Sequence, residues 1–173
     1  MPNLQSPTSN LQPNKGFTLI ELIIYIGIVS IILVSISYLI IDLISGQSSN
    51  TARQEVNQNV RFISSVISRD IRAAQAIASL SADTLVLTMP GDDITYNFDA
   101  GNLDLTRQIG AGPTEILNSN RLEISGSFSD RSYSSRTQNV QVNFTVSYYN
   151  PDNLPDFNAS TNSVFSVELR GRK

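Results

Sequence analysis

The sequence predicts an α+β protein in which one long N-terminal helix packs on an antiparallel β-sheet. Three observations predict this class: a charge-free apolar run at residues 22–41, an apolar stripe at helical spacing from Val56, and apolar–polar alternation from residue 83 onward. A sheet that covers one face of a helix can bury a single hydrophobic core. The predicted segments are residues 1–16, 17–44, 45–80 and 81–173.

The composition excludes several functional classes. The chain has 173 residues, a net charge of -3, and no cluster of Lys or Arg longer than its tail at residues 170–173, which argues against a nucleic-acid groove. It has no Cys and no His, so disulfides, thiolate metal ligands and the commonest general base are missing. We therefore expect no catalytic residue, no metal and no other cofactor.

The first segment, residues 1–16, is interpreted as a leader. It is polar, its one charge is Lys15, and its three prolines interrupt every run that could form a helix. A secretory signal has its small cleavage-site residue after the apolar run, whereas Gly16 precedes it here. Cleavage after Gly16 would leave the apolar helix on the mature protein. The alternative is a signal anchor whose cytoplasmic tail is not processed.

The second segment, residues 17–44, has the length of a membrane span. Its charge-free core, Leu22–Ile41, would measure about 30 Å as an α-helix, close to one hydrocarbon thickness. Because positive charge near a span stays inside, Lys15 predicts a single-pass topology with a cytoplasmic leader and an extracytoplasmic remainder. Glu21 is the exception, since a carboxylate at the edge of a span is costly and requires a reason.

The third segment, residues 45–80, is predicted as an amphipathic continuation of the helix. Residues 45–51 are poor helix formers and predict a flexible joint. The apolar residues that follow recur every three or four positions: Val56, Val60, Ile63, Ile67, Ile71, Ala74 and Ala78. The charged residues at the other positions are interpreted as solvated: Arg53, Glu55, Arg61, Arg69, Asp70 and Arg72.

The fourth segment, residues 81–173, alternates apolar and polar residues as β-strands do. Strands are predicted at residues 84–89, 94–98, 103–109, 121–128, 140–149 and 164–169, with polar loops at 127–139 and 150–162. Tyr149 is expected to face solvent or an interface. Asp152 and Asp156 raise the possibility of a calcium loop, but the segment lacks EF-hand spacing and favours a solvated loop.

Residues 15–21, Lys-Gly-Phe-Thr-Leu-Ile-Glu, resemble the class III signal of type IV prepilins and type II secretion pseudopilins. The resemblance implies that a prepilin peptidase cleaves between Gly16 and Phe17 and N-methylates Phe17. It also implies that the Glu21 carboxylate meets the N-terminal amine of a neighbouring subunit during assembly. Such a pair would offset the cost of a buried carboxylate.

A second pattern bears on the kind of subunit. Many major pilins carry a proline where this chain has Tyr38, and there is no proline between Gly16 and Met89, which favours a minor pilin or pseudopilin. Residues 69–74 also resemble the end of the long helix in PilW-like and GspJ-like minor pilins. The alternatives are a major pilin that forms the filament body and an anchored binding module that never assembles.

The resemblance implies a location and partners. The protein would reside in the cytoplasmic membrane and then in a filament that serves pilus biogenesis, type II secretion or DNA uptake. Its expected partners are the prepilin peptidase, other pilin or pseudopilin subunits, and the membrane-embedded assembly machinery.

Overall fold

A computed structural model describes residues 16–133 and 138–170 of the chain. The described residues form one α-helix and eight β-strands. The chain divides into two units, residues 1–43 and 44–173, and each is described by itself. The predicted leader with Lys15 lies outside the described residues, apart from Gly16.

The helix α1 spans Leu19–Ala73. Thr18 caps its start, because the Thr18 hydroxyl oxygen accepts a hydrogen bond from the backbone N–H of Glu21 at 3.3 Å. Hydroxyls within the apolar stretch donate to the carbonyl four residues earlier, which satisfies them without water. These bonds are Ser30 to Ile26 at 2.7 Å, Ser35 to Ile31 at 2.9 Å and Ser37 to Leu33 at 2.8 Å.

The residues predicted as a flexible joint, 45–51, are helical instead. Two of the poor helix formers bond within the helix, because the Ser48 hydroxyl donates to the Ile44 carbonyl and Thr51 to the Gln47 carbonyl. Extending a helix that already exists costs much less than nucleating a new one, so strong flanking segments carry the helix through this stretch.

The C-terminal part of α1 supplies one layer of the core in the second unit. Of the predicted apolar stripe, four residues of the helix are buried and one is half-buried, which confirms the amphipathic interpretation as far as Ile71: Val56, Ile63, Ile67 and Ile71 are buried, and Val60 is half-buried. Ala78, the last residue of the predicted stripe, is exposed in a strand. The helix ends at Ala73, however, and not at residue 80. The Gln75 N–H donates to the Thr88 carbonyl at 2.8 Å, and the residues that follow pair with a strand. Sheet pairing thus overrides the helix propensity of the alanines here.

The strands form two antiparallel sheets, where the sequence predicted one. The first sheet has the order β1-β2-β3-β4-β5 and the second β6-β7-β8. The strand bounds are Ala76–Leu80, Thr84–Thr88, Ile94–Asp99, Asp104–Ile109, Thr114–Ile116, Leu122–Asp130, Asn139–Tyr148 and Ser160–Glu168, and a 3₁₀ turn covers Pro155–Phe157.

The alternation read from the sequence is confirmed in β7. Val140, Val142, Phe144 and Val146 are buried, whereas Tyr149, just beyond the strand, is 53% exposed. The predicted last strand begins earlier than expected, at Ser160, because its polar first half pairs with β7 from Ser147 onward. The polar loop predicted at 127–139 begins later, since β6 continues to Asp130, and residues 134–137 lie outside the described residues.

Backbone hydrogen bonds join the two sheets along β6. The Ile124 N–H donates to the Leu103 carbonyl at 2.7 Å, and the Phe128 N–H donates to the Ala82 carbonyl at 2.8 Å. Gly126 lies between these two bonds. A Cβ at this position would come within 2.7 Å of the Asn143 carbonyl, the Phe144 Cβ and the Phe98 ring. The close approach of the sheets therefore requires glycine at position 126.

We predict that Gly126→Ala destabilises the protein by about 1–3 kcal/mol, because the added methyl group meets two backbone-fixed neighbours and overpacks the sheet junction. Urea denaturation of the detergent-solubilised protein, followed by near-UV circular dichroism, measures the change.

The matched control is Gly91→Ala, because a Cβ there meets no atom within 4 Å. This control should change the free energy of unfolding by less than about 0.5 kcal/mol. Equal effects of the two alanines would contradict the packing argument for Gly126.

Candidate functional site

The predicted cleavage site is accessible. Gly16 and Phe17 precede the first residue of α1 in non-helical backbone, and both are exposed, with Phe17 at 77%. The Phe17 ring packs edge-on against Tyr25, with ring centroids 6.2 Å apart and an interplanar angle of 76°. The Gly16–Phe17 peptide bond is thus presented at the tip of the helix, without secondary structure that a protease would first have to unfold.

Glu21 sits in the first turn of α1, four residues after Phe17. The Tyr25 hydroxyl donates to Glu21 Oε1 at 3.1 Å, one helical turn further along. Among the residues that the structure describes, no Lys or Arg lies within ion-pair distance of this carboxylate. Glu21 therefore keeps acceptor capacity for a cation from outside the described part of the chain.

The described residues of the first unit leave the apolar helix around this carboxylate uncovered. The large apolar side chains from Phe17 to Ile44 are exposed, and the most apolar 18-residue window of α1 is 0% buried. By length and composition, α1 is the one helix among the described residues that could cross a membrane. Because apolar surface of this extent is unfavourable in water, it requires lipid or protein around it.

A second group of charges lies in the unit that contains the sheets. The Asp70 side chain, near the end of α1, is buried and accepts a hydrogen bond from the Tyr96 hydroxyl at 2.7 Å. Arg107 on β4 contacts the same oxygen through Nη2 at 2.8 Å and through Nε at 2.9 Å. Arg69 bonds the other Asp70 oxygen at 3.1 Å. Asp70 is therefore not solvated, and its interpretation as a surface charge is wrong.

The electrostatics of this cluster favour an ionised Asp70. Burial alone would raise the pKa of Asp70, but the hydrogen bonds from Tyr96, Arg107 and Arg69 outweigh it and hold the pKa below its usual value. Burial and the adjacent Asp70 carboxylate both raise the pKa of Tyr96, which keeps the phenol neutral. The cluster ties the end of α1 to β3 and β4, and this arrangement is structural.

Comparison with known proteins yields one match. Residues 11–37 match the family model described as the prokaryotic N-terminal methylation motif, which is consistent with a type IV pilin or pseudopilin family. That family is structural and not enzymatic. No curated protein and no solved structure matches the chain. The matched segment contains Lys15, Gly16, Phe17 and Glu21, and the pilin-like α+β architecture agrees with it.

The structure places three of the four predicted site residues. Gly16, Phe17 and Glu21 lie together at the tip of α1, and Lys15 lies outside the described residues. Sequence reasoning missed the roles of Thr18 and Tyr25. The Thr-x-x-Glu spacing of a helix cap and the Glu-to-Tyr spacing of four residues could have revealed them.

The loop considered for calcium carries no metal-binding cluster. Asp152 is exposed and Asp156 is half-buried. Among the described residues, no group of three or more His, Cys, Asp or Glu side chains could hold a metal ion.

We predict that Asp70→Asn lowers the free energy of unfolding by about 3 kcal/mol near neutral pH, because it leaves the Arg107 guanidinium buried beside a neutral partner. Since the native pKa of Asp70 is lowered, its stabilisation is present above the unfolded pKa of about 3.9 and is lost as the pH falls through the native pKa. Urea denaturation across pH 3–8 should show the difference between the two proteins shrinking below about pH 4.

Asp152→Asn is the control, because it removes an exposed carboxylate from the same unit. It should leave the unfolding free energy nearly unchanged at every pH. A difference between the wild-type protein and the Asp70→Asn variant that stays constant down to pH 3 would contradict the role given to the Asp70 carboxylate.

Proposed function

We propose that the protein is a minor pilin or pseudopilin, a structural subunit of a type IV pilus-like filament. The filament would serve pilus biogenesis, type II secretion or DNA uptake. The observation that carries the proposal is the exposed Gly16–Phe17 junction, directly followed by an uncovered apolar helix with Glu21 in its first turn. The match to the methylation motif over residues 11–37 supports it.

The two environments of the apolar helix explain the order of events in this proposal. Before assembly the helix anchors the chain in the cytoplasmic membrane, with the leader in the cytoplasm and the sheets outside. The prepilin peptidase then hydrolyses the Gly16–Phe17 bond with water, which creates a new amine at Phe17. It then transfers a methyl group from a separate methyl donor to that amine, which loses a proton. In the filament, helices of neighbouring subunits replace lipid around the apolar side chains.

Glu21 sets the axial register between neighbouring helices when these helices replace lipid. A carboxylate in an apolar medium is costly unless a cation lies within hydrogen-bond reach. The bond from the Tyr25 hydroxyl supplies only a neutral donor, so the Phe17 amine of a neighbouring subunit is the cation that completes the pair. Because one such pair forms only at one axial offset, it selects a single register between helices.

The absence of proline from α1 favours the minor role over the major one. Proline is a common cause of helix kinks, and the hydroxyls of Ser30, Ser35 and Ser37 bond to carbonyls of the same helix. A major pilin that forms the filament body is the second candidate. Abundance separates the two, since a major subunit dominates purified filaments by mass.

The first test is intact mass together with N-terminal sequencing of the protein from cells with an active prepilin peptidase. We expect a chain that begins at Phe17 and carries one added methyl group. A chain that still begins at Met1 in such cells would contradict the proposal and favour an anchored binding module.

The second test is Glu21→Val, which removes the carboxylate and keeps the apolar character of the helix. We expect the variant to be cleaved normally and to be at least about tenfold depleted in purified filaments, the effect of losing about 1.4 kcal/mol of differential stability. The control is Asp42→Val, which removes an exposed carboxylate at the other end of the apolar stretch and should enter filaments at the wild-type level. Wild-type incorporation of the Glu21 variant would refute the register role.

A further inference from the structure

The outward side of α1 in the second unit is basic and carries an exposed aromatic ring. At 3.6 residues per turn, Arg61, Ser65 and Arg72 lie on one side of the helix, and Phe62 and Arg69 flank them. All five are exposed, with Phe62 at 50%. We call these five residues the arginine face.

No exposed acid neutralises the arginine face from its own helix. Of the two acidic residues in the described helix beyond Arg53, Asp70 is buried, and half-buried Glu55 accepts a hydrogen bond from the Ser119 hydroxyl at 3.1 Å. Arg69 donates to Asp70, and its side chain is nevertheless 68% exposed. A basic helical surface with an exposed Phe favours a partner that offers acidic groups around an apolar recess.

The same unit carries a surface of that description on its first sheet. A cavity of about 540 Å³ lies at the turn between β4 and β5 and is lined by Arg107, Ile109, Gly112, Pro113, Thr114 and Glu115. Ile109 is 45% exposed at its mouth. A volume of this size accepts a ring-sized group. We call this recess the β4–β5 pocket.

One acidic side chain lines the β4–β5 pocket, and two more lie in the turn beside it. Glu115 is exposed, and its contact with Arg107 is long, at 3.8 Å. Asp92 and Asp93 in the β2–β3 turn are exposed and adjoin the pocket, since the Gly110 N–H donates to the Asp93 carbonyl at 2.7 Å. The Arg107 guanidinium is already engaged by Asp70, so the net charge around the recess is negative.

We propose that the arginine face of one copy docks on the β4–β5 pocket of a second copy. Phe62 enters the recess beside Ile109 and Pro113, and Arg61 faces the carboxylates at its rim. We take the contact as heterologous, because subunits of a filament repeat along an axis; repeated heterologous contacts build open chains, whereas a two-fold arrangement of the same two surfaces would close at dimers. This proposal rests on the proposed function and names the surface that neighbouring subunits share; it requires a run of adjacent copies of this chain, which does not have to be the most abundant subunit of the filament.

Disulfide cross-linking tests the contact directly, because the chain has no native cysteine. The test protein carries Ser65→Cys, on the arginine face, and Thr114→Cys, at the pocket, so that Phe62 and the rim acids remain. Both positions are exposed. Mild oxidation of membranes that contain the full-length protein should give a ladder of dimers, trimers and longer chains. A closed two-fold contact would stop at dimers.

Four further variants test whether the ladder depends on the proposed contact. The pair Ser65→Cys with Ser160→Cys places the second thiol at an equally exposed strand and should give no ladder. Adding Phe62→Ser or Arg61→Glu to the test pair should abolish the ladder, and adding Glu115→Arg to the Arg61→Glu chain should restore it. Circular dichroism confirms that each variant is folded.

The possible outcomes separate this inference from the proposed function. Any one of three results would overturn the docking contact. The test pair gives no ladder, it gives a ladder equal to that of the Ser160 pair, or its ladder persists when Arg61→Glu is added. Binding of the arginine face to nucleic acid or to anionic lipid in place of a second copy would also appear as absence of the ladder. A normal Phe17 start and filament incorporation would meanwhile uphold the proposed function without the contact.

Discussion

The constraint on which the rest depends is an apolar half-helix that the described residues of its own unit leave uncovered. The side chains from Phe17 to Ile44 are exposed, and the most apolar window is 0% buried. Burying an exposed Ile or Leu side chain contributes about 1.5–3 kcal/mol, so a segment with so many of them cannot remain in water. Lipid before assembly and neighbouring helices after it are the two environments that satisfy this constraint. Glu21 can stay in either one only with polar partners, and Tyr25 is the first of these.

The C-terminal half of the same helix differs, because its apolar side chains are covered within its own unit. There the apolar stripe is covered by the sheets, and the buried Asp70–Tyr96–Arg107 cluster joins the end of α1 to β3 and β4. A buried ion pair of this kind contributes little net stability against an apolar replacement, but it penalises every arrangement that separates its members. The cluster therefore fixes where the helix meets the sheets, while the outward side of the helix stays free to meet another molecule.

Much of this arrangement was predictable from residue patterns. The α+β class, the stripe from Val56 to Ile71 and the alternation in β7 all follow from spacing, because one face of each element is buried. The strand at Ala76–Leu80 was not predictable in the same way. Its alanines favour a helix, and only pairing with Thr84–Thr88, which is a tertiary interaction, changes their conformation. The junction between the two sheets likewise depends on long-range bonds to Leu103 and Ala82.

In the candidate site, too, features with a local spacing could be predicted, and features that depend on distant residues could not. Gly16, Phe17 and Glu21 could be predicted as site residues because their spacing is local, and the motif match over residues 11–37 covers these positions. Asp70 was misread as a surface charge because its partners Tyr96 and Arg107 lie 26 and 37 residues away. Periodicity gives no information about such partners, since any exposed-looking helical position can be covered by a strand that arrives later in the chain.

The central claim, that the apolar helix exchanges lipid for neighbouring helices, is tested most directly by a photo-activated cross-linker in place of Ile32, an exposed residue in the middle of the apolar stretch. In cells with an active prepilin peptidase, the account predicts cross-links from this position to the apolar helix of another filament subunit. Blocking cleavage by substitution of Gly16 should convert these products to lipid adducts alone. Lipid adducts alone from the cleaved protein, in cells that assemble filaments, would contradict the account.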